Sequence, residues 1–324
     1  GSPILTVTAT FAEGILLETL ALSVFNHDCA VVSAAARIVS AANGRQMIEM
    51  GSRRTHEEAA VASARAAYLS GFDATSNLEA GRRYGIPTVG TSSHAFTLVH
   101  DSETEAFRSQ VAALGPKTTL LVDTFDITAG IAHAIEVGGP ELGAIRIDSG
   151  DVGVLARQAR EQLDSLGARH TKIVISGDLD EYSIAALRAE PIDAYGVGTS
   201  VVTGSGAPAA GMVYKLVEVE GRAVAKRSSH KESRGGRKAA LRRYKPSGTA
   251  IEEVVYRLAA DAPRPKIGEH DQELQIPLVR AGQWAEGQPT LEDGRQRLRR
   301  ALVSVPWEGL TLSQGEPAIP TTFI

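Results

Sequence analysis

Four short segments of this sequence place acidic, hydroxyl and glycine residues directly after an apolar run. They are LLVDTFD at 120–126, AIRIDSGD at 144–151, KIVISGDLD at 172–180 and DAYGVGTS at 193–200. Carboxylates can hold ribose hydroxyls or a metal ion, and glycine amides can receive an anion. Each apolar run is typical of a buried parallel strand, and the residues just past such strands meet at one edge of the sheet. The four segments together therefore predict one active site.

The second strand end in this set, 144–151, is the most specific. Arg146 and Asp148 alternate along the strand and therefore point to the same face. Ser149 and Gly150 follow, and their backbone N–H groups can meet an anion at the start of a helix. An N-cap function for the acid or the serine is compatible with this role. We expect Arg146, Asp148 and Ser149 to contact a substrate.

A turn at 51–54 and a histidine at 94 add further chemistry. Ser52 and Arg53 belong to the segment GSRR, and a guanidinium suits an anionic substrate; a solvated charge pair at a helix start is the alternative. His94 follows a predicted strand at 86–90 and could transfer a proton or act as a nucleophile toward phosphorus. A hydrogen-bonded loop histidine is the alternative there. Asp123 and Asp126 are candidates to orient the His94 ring.

The last two strand ends predict a phosphate site, because late barrel strands often supply one. The candidates are Gly177, Asp178, Gly198 and Thr199. Gly-x-Gly by itself is a weak signal. The six-position dinucleotide fingerprint and the Walker A phosphate-binding loop are both missing from the sequence, which argues against a nicotinamide-dependent dehydrogenase and a P-loop kinase.

The elements that must position these residues alternate between strand and helix. Six or seven such units fit between Met47 and Val202, preceded by a strand at 4–10 and two helices at 12–25 and 28–42. Further helices are predicted at 57–71, 78–84, 103–115, 127–138, 153–167 and 183–190. The pattern predicts an α/β fold and favours a (β/α) barrel, although a doubly wound open sheet gives the same local pattern.

Composition narrows the class of protein. The 324 residues carry a net charge of −4, with 43% hydrophobic and 22% charged residues, which is ordinary for a soluble globular protein and gives no reason to expect nucleic acid. Cys29 is the single cysteine, so neither a disulfide framework nor a thiolate metal cage is expected, and a reducing, cytoplasmic setting fits. We predict no metal site built from protein ligands alone. No apolar run is expected to reach the roughly 18 residues of a membrane span.

The predicted elements and the local composition divide the chain into three parts. Residues 1–10 are predicted as a strand of a flanking domain, 11–203 as the barrel and 204–324 as the β-rich remainder of the flanking domain. A hairpin is predicted at 212–226, and a basic run extends over 226–243. Residues 226–238 of that run have no aromatic residue between the charged residues, so a solvated loop is favoured over a nucleic-acid surface. A loop that reaches a bound polyphosphate is the alternative.

In combination, these segments closely resemble the nicotinate phosphoribosyltransferase family, and its actinobacterial members in particular. The resemblance runs in order over about residues 10–245. Its motifs are GSRR at 51–54, GFDATSN at 71–77, IPTVGTSSH at 86–94, LVDTFD at 121–126, IRIDSGD at 145–151, KIVISGDLDE at 172–181, YGVGT at 195–199 and VYKLV at 213–217.

The resemblance implies a fold and a reaction. The fold is an irregular (β/α) barrel of the type II phosphoribosyltransferases with an additional α/β sandwich-type domain, in a homodimer whose active site is shared. The reaction joins nicotinate to 5-phosphoribosyl-1-pyrophosphate and gives nicotinate mononucleotide and pyrophosphate. ATP hydrolysis is coupled to it, so the enzyme is formally a ligase, and Mg²⁺ accompanies the phosphates.

The resemblance also implies residue roles. His94 would be phosphorylated by ATP, with Asp123 and Asp148 beside it as catalytic residues. Arg53 would hold the nicotinate carboxylate or a phosphate. The implied substrate-binding residues are Ser52, Arg53, Ser76, Arg146, Ser149, Gly177, Asp178, Gly198 and Thr199.

Two departures and three alternatives accompany the resemblance. Ser93 stands where an alanine is expected, and the chain is expected to lack an N-terminal segment that supplies an aromatic for stacking on the pyridine ring. The alternatives are a nicotinamide phosphoribosyltransferase, a quinolinate phosphoribosyltransferase and a catalytically silent nucleotide-binding barrel. Ser76 stands where nicotinamide-type relatives carry an aspartate, which favours the acid as substrate.

Overall fold

The computed structural model describes residues 1–227 and 233–324, which form two compact units. One unit is His27–Ala209, and the other combines Gly1–Asn26 with Ala210–Ile324. The middle of the basic run, at 228–232, lies outside the described residues, so the loop predicted there is not assessed.

The helices and strands follow one another in the order β-then-helix through most of the first unit. The α-helices are α1 (Phe11–Ala42), α2 (Glu57–Ser70), α3 (Leu78–Tyr84), α4 (His94–Leu98), α5 (Glu103–Leu114), α6 (Ile127–Gly138), α7 (Val152–Ser165), α8 (Glu181–Ala186), α9 (Thr199–Val202) and α10 (Leu291–Ser304), with 3₁₀ turns at Leu187–Ala189 and Trp307–Leu310. The strands are β1 (Gln46–Glu49), β2 (Ala74–Thr75), β3 (Thr119–Leu121), β4 (Ala144–Ile147), β5 (Lys172–Ile175), β6 (Ala194–Val197), β7 (Glu218–Val219), β8 (Arg222–Ala223), β9 (Lys238–Tyr244), β10 (Ala250–Arg257), β11 (Gln272–Glu273), β12 (Val279–Arg280), β13 (Gln283–Trp284) and β14 (Thr321–Phe323).

The first unit is built on a six-stranded parallel sheet in the order β2-β1-β6-β5-β4-β3. Its strands are buried almost throughout, as expected for parallel strands that helices cover, and Ile145, Ile147 and Ile173 lie in the core. The predicted α/β fold is confirmed. The sheet has the form of a half-barrel, so the (β/α) barrel is confirmed at this coarser level.

Side chains bring the two edges of this sheet together. Beyond β2 a single parallel bridge joins Thr75 to Thr88, and β3 forms the opposite edge. The chain after Thr88 reaches across the gap: the Thr91 hydroxyl accepts a hydrogen bond from Arg146 of β4 at 2.6 Å, and His94 Nε2 lies 3.0 Å from Asp123 Oδ1, just past β3. The predicted strand at 86–90 is thus reduced to one bridge and then leads to residues that contact the far edge.

Polar residues that end the loops also begin the next helices. The side chains of Asn77, Ser102, Asp126, Asp151 and Asp180 each accept a hydrogen bond from a backbone N–H in the first helical turn. This N-capping stabilises a helix by typically about 1 kcal/mol. The short connections keep each strand end close to the start of a helix, which fixes the residues between them.

The helix α1 differs from the prediction of two helices at 12–25 and 28–42. Asn26 and His27 do not interrupt it, since neither residue breaks a helix and both its ends are rich in helix formers. By length and composition α1 could cross a membrane, contrary to the expectation that no segment would qualify. Buried core helices and signal sequences pass the same test, so length and composition assign no membrane span.

The second unit contains a four-stranded sheet in the order β11-β9-β10-β14 and two small hairpins, β7–β8 and β12–β13. Leu241, Val254 and Tyr256 form its small core. The predicted hairpin is present but pairs only two residues on each side of Glu220 and Gly221, both of which have positive φ, as a tight turn of this type requires.

The sequence-based boundaries at 10/11 and 203/204 differ from those of the two units. Residues 1–10, all of which the structure describes, form neither strand nor helix, so the strand predicted at 4–10 is wrong. Its alternating Thr and apolar residues have high β propensity, but propensity alone does not supply a partner strand. The helix α1 continues through the boundary between the units at Asn26.

Candidate active site

The predicted site residues lie at the carboxyl edge of the parallel sheet. Because all six strands run in the same direction, the residue that follows each strand is at this edge. Ser52 and Arg53 follow β1, Ser76 follows β2, His94 follows the Thr88 bridge, Asp123 follows β3, Asp148 and Ser149 follow β4, Gly177 and Asp178 follow β5, and Gly198 and Thr199 follow β6. Arg146 is the penultimate residue of β4.

Arg146 is held by three different side chains. Its Nε donates to Ser176 Oγ at 2.7 Å, one terminal nitrogen donates to Thr91 Oγ1 at 2.6 Å, and the other donates to Asp148 Oδ1 at 2.6 Å. The side chain is 13% exposed. A planar guanidinium held at three points has one orientation, with its remaining N–H groups available to a ligand.

Asp148 is an ionised acid whose two oxygens differ. Oδ1 accepts from Arg146 and from the Ser176 hydroxyl, whereas Oδ2 accepts no hydrogen bond from the described residues. Partial burial by itself would raise the pKa of Asp148, but the Ser176 hydrogen bond and the positive charge of Arg146 outweigh it and lower this pKa below its ordinary value. The available oxygen can therefore accept from sugar hydroxyls as a carboxylate.

Asp123 joins the histidine to the end of β4. Its side chain is 1% exposed, and Oδ1 lies 3.0 Å from His94 Nε2. Oδ2 accepts from the backbone N–H of Asp148 and from the Ser149 hydroxyl, both at 2.9 Å. Four predicted residues thus form one connected cluster, and Arg146 extends it through Asp148.

The contact with Asp123 sets the chemistry of the His94 ring. A carboxylate oxygen accepts, so Nε2 carries the proton and the neutral ring keeps a lone pair on Nδ1. Nδ1 makes no hydrogen bond with the described residues, and the side chain is 43% exposed. The ring therefore presents a nucleophilic nitrogen to solvent while a buried carboxylate can stabilise a positive charge on it.

The turn after β1 lies against the ends of β2 and β6. Ser52 Oγ accepts from Asn77 Nδ2 at 3.0 Å, and a Cβ on Gly198 would be 3.0 Å from the Met50 carbonyl oxygen. Arg53 is exposed and has no ion-pair partner among the described residues, and the same is true of Asp178. These two side chains share the edge of the sheet with the His94 cluster but make no hydrogen bond or ion pair with it.

A glycine is required at 177. Its φ is +96°, and an added Cβ would be 2.4 Å from the Asp148 carbonyl oxygen. The backbone of the β5 end thereby packs directly on the backbone of the β4 end, which leaves the Gly177 side of the edge open. This arrangement fits the prediction that the strand end receives a phosphate.

Sequence reasoning did not predict how three further residues organise the site. Thr91 and Ser176 hold Arg146, and Glu49 is a buried acid in β1 that accepts hydrogen bonds from Thr75 and Gly51. Thr91 and Ser176 both stood at predicted strand ends, which was the available signal. An acid inside an apolar strand was the signal for Glu49.

The described residues contain no group of three or more His, Cys, Asp or Glu side chains that could hold a metal ion. Mg²⁺ in phosphate-transferring enzymes keeps several waters and takes one or two carboxylates besides the substrate phosphates. Asp148, with its available Oδ2, fits such a supporting ligand.

Comparison with known proteins shows the family. Residues 31–205 match the model of the quinolinate phosphoribosyl transferase C-terminal domain. The nicotinate phosphoribosyltransferase pncB1 of Mycobacterium tuberculosis H37Rv is 63% identical over 332 residues, which cover 100% of this chain and 73% of that protein. The chain belongs to the nicotinate phosphoribosyltransferase family. The nicotinate phosphoribosyltransferase of Bacillus subtilis is 41% identical over 228 residues, covering 67% of this chain and 46% of that protein.

Solved structures agree with this family at the level of the fold. The nicotinate-nucleotide pyrophosphorylase of Pyrococcus furiosus matches with a TM-score of 0.77 and 26% identity, over 89% of this chain and 73% of that one. The human nicotinic acid phosphoribosyltransferase matches with a TM-score of 0.76 and 22% identity, over 95% of this chain and 74% of that one. A nicotinate phosphoribosyltransferase fold therefore accounts for the half-barrel described above.

Proposed function

We propose that this protein joins nicotinate to 5-phosphoribosyl-1-pyrophosphate, forming nicotinate mononucleotide and pyrophosphate in NAD biosynthesis. Membership of the nicotinate phosphoribosyltransferase family supports this activity. The observation that carries it is the connected cluster of His94, Asp123, Asp148 and Arg146 at the carboxyl edge of the sheet.

The cluster suits the division of charge in such a reaction. Transfer at the anomeric carbon of a sugar proceeds through a cationic, oxocarbenium-like transition state, while pyrophosphate departs as an anion. Asp148 Oδ2 can accept from the ribose hydroxyls and stabilise the developing cation, and Arg146 can stabilise the anion from a fixed position. Arg53 and Ser52 are proposed to bind the nicotinate carboxylate or a phosphate, with Mg²⁺ accompanying the phosphates.

We propose that His94 couples ATP hydrolysis to the transfer. Nδ1 attacks the γ-phosphorus of ATP, the N–P bond forms, and the bond from phosphorus to the ADP oxygen breaks. Asp123 keeps the proton on Nε2 and stabilises the positive charge that the ring acquires. Water later cleaves the N–P bond, which returns neutral His94 and releases phosphate.

The acid is the preferred substrate over the amide and over quinolinate. The family model that matches is named for quinolinate, but the relative that matches over the whole chain is a nicotinate enzyme. Ser76 supports the same choice, since an aspartate there would suit an amide and repel a carboxylate.

We further propose a homodimer with a shared active site, a flanking α/β sandwich-type domain and a cytoplasmic location. The resemblance of the sequence motifs supports the first two. The single cysteine, Cys29, is unpaired, which fits a reducing compartment.

The test is a pair of assays on the full-length protein. With nicotinate, 5-phosphoribosyl-1-pyrophosphate and ATP, we expect nicotinate mononucleotide by chromatography and ³²P transfer from γ-labelled ATP to the protein. His94→Ala should abolish labelling and leave a slow, ATP-independent transfer. His133→Ala is the matched control, because His133 is also half-buried and its Nδ1 lies 2.9 Å from the Glu103 carboxylate.

Wild-type labelling in His94→Ala would refute the phosphohistidine. Absence of nicotinate mononucleotide with the wild-type enzyme, or faster turnover of nicotinamide than of nicotinate, would refute the proposed reaction.

A further inference from the structure

Glu49 is a buried acid that the proposed reaction does not use. It is 1% exposed, and it is the last residue of β1, which Met50 alone separates from the Gly51–Arg53 turn. One carboxylate oxygen accepts from the backbone N–H of Gly51, and the other accepts from the Thr75 hydroxyl at 2.6 Å. Both carboxylate oxygens therefore have a hydrogen-bond partner inside the fold.

The hydrogen bonds continue from Thr75 to the turn after β1. Thr75 Oγ1 accepts from the Asn77 backbone N–H at 2.9 Å, and Asn77 Nδ2 donates to Ser52 Oγ at 3.0 Å. Asn77 Oδ1 also caps α3. Glu49, Gly51, Ser52, Asn77 and Thr75 therefore form a closed circuit that ties the loop after β1 to the loop after β2.

Burying an apolar side chain at position 49 would cost less free energy than burying the Glu49 carboxylate. Burial raises the pKa of Glu49 above its ordinary value, although the hydrogen bonds from Thr75 and Gly51 oppose this rise. A buried carboxylate contributes little net stability, because the free-energy cost of removing it from water offsets the favourable hydrogen bonds with its partners. The circuit is therefore better explained by what it holds in place.

We propose that Glu49 is a positioning residue that fixes Ser52 and Arg53 for the anionic substrate by holding the turn after β1 against the loop after β2. The inference rests on the proposed function of Ser52 and Arg53. It assigns to Glu49 an effect on substrate binding and none on the His94 cluster, because Glu49 makes no hydrogen bond to His94, Asp123 or Arg146.

The first test is Glu49→Gln. Glutamine has one acceptor oxygen, so its NH₂ group faces either the Gly51 N–H or the Thr75 hydroxyl, and the turn shifts. We expect the KM for nicotinate to rise about tenfold with kcat within about twofold of wild type, as for a loss of ground-state binding. Labelling of His94 by ATP should proceed at the wild-type rate. Glu103→Gln, which neutralises another buried acid at the start of α5, should leave KM unchanged.

A second pair of variants tests the circuit without changing the carboxylate. Thr75→Val removes the hydroxyl at nearly constant volume and should raise KM by a factor similar to Glu49→Gln. Thr75→Ser keeps the hydroxyl and should restore KM to within about twofold of wild type. The double variant of Glu49→Gln and Thr75→Val should be no worse than the more affected single variant.

The outcomes separate this inference from the proposed function. A wild-type KM in a folded Glu49→Gln enzyme that makes nicotinate mononucleotide overturns the inference and leaves the function intact. Equal losses of kcat and His94 labelling also overturn it, since they indicate general damage. If Glu49→Gln does not fold, Thr75→Val decides, and a wild-type KM in that variant overturns the inference.

Discussion

The sharpest test of the site is the substitution Arg146→Lys. Lysine keeps the positive charge but replaces a planar fork with a single ammonium, which cannot reach Ser176, Thr91 and Asp148 together. If the ammonium keeps the bond to Asp148, the Ser176 and Thr91 bonds are lost. Hydrogen bonds to charged groups contribute about 1.5–3 kcal/mol each. Loss of the two bonds therefore removes roughly 3 kcal/mol or more of the interactions that orient the positive group.

That loss acts on the reaction as well as on the fold. Arg146 is proposed to stabilise the departing anion from a fixed position. A mobile lysine ammonium is not held in that position, so it stabilises the transition state less. A loss of about 3 kcal/mol corresponds to roughly a hundredfold decrease in kcat/KM. The assay is steady-state formation of nicotinate mononucleotide, with the melting temperature recorded in parallel.

The control is Arg160→Lys. Arg160 is also held at three points, by Asp164 and by the carbonyl oxygens of Ala168 and Thr171, but it lies on α7 away from the carboxyl edge. The Arg160→Lys substitution should lower the melting temperature and keep kcat/KM within about threefold of wild type. If Arg146→Lys also stays within that range, the assignment of Arg146 to the reaction is wrong.

Two further predictions concern stability. Gly177→Ala should lower the free energy of unfolding by more than Gly167→Ala. Both glycines have positive φ, but only at Gly177 would an added Cβ also lie against a carbonyl oxygen. Chemical denaturation of both variants checks this, and equal losses would contradict it. Asp148→Asn should be destabilising at neutral pH, and the difference from wild type should shrink as pH falls below 3.8. The pKa of Asp148 is lowered in the folded protein, so its stabilising contribution is present above the ordinary value and disappears as the carboxylate is protonated; a difference that stays constant from pH 7 to pH 3 would contradict this.

Much of the first unit could be predicted because local signals and the global fold agree there. Apolar runs give the strands, and acids or hydroxyls that follow them cap the next helix, as at Asp126 and Asp180. Prediction also placed the candidate residues at one edge, since that requires only parallel strands. This pattern predicted that the strand ends meet, and the resemblance to the family placed Asp123 and Asp148 beside His94.

The rest depended on long-range contacts that sequence patterns do not contain. Thr91 and Arg146 are 55 positions apart, and the hydrogen bond between them depends on the curvature of the sheet. The strand expected at 4–10 needed a partner that no local signal could supply. Continuity of α1 through Asn26 was missed because polar residues in a helix resemble a boundary when tertiary packing is unknown.

The meeting of the two sheet edges has a consequence for how the enzyme could respond to its own chemistry. Among the described residues no β-ladder joins β3 to the strand-like segment at Thr88; the gap is crossed by the His94–Asp123 and Thr91–Arg146 side-chain pairs. A phosphoryl group on His94 would therefore arrive at a seam. In the part of the chain that the structure describes, side-chain contacts, and not main-chain hydrogen bonds, hold the sheet edges together at that point.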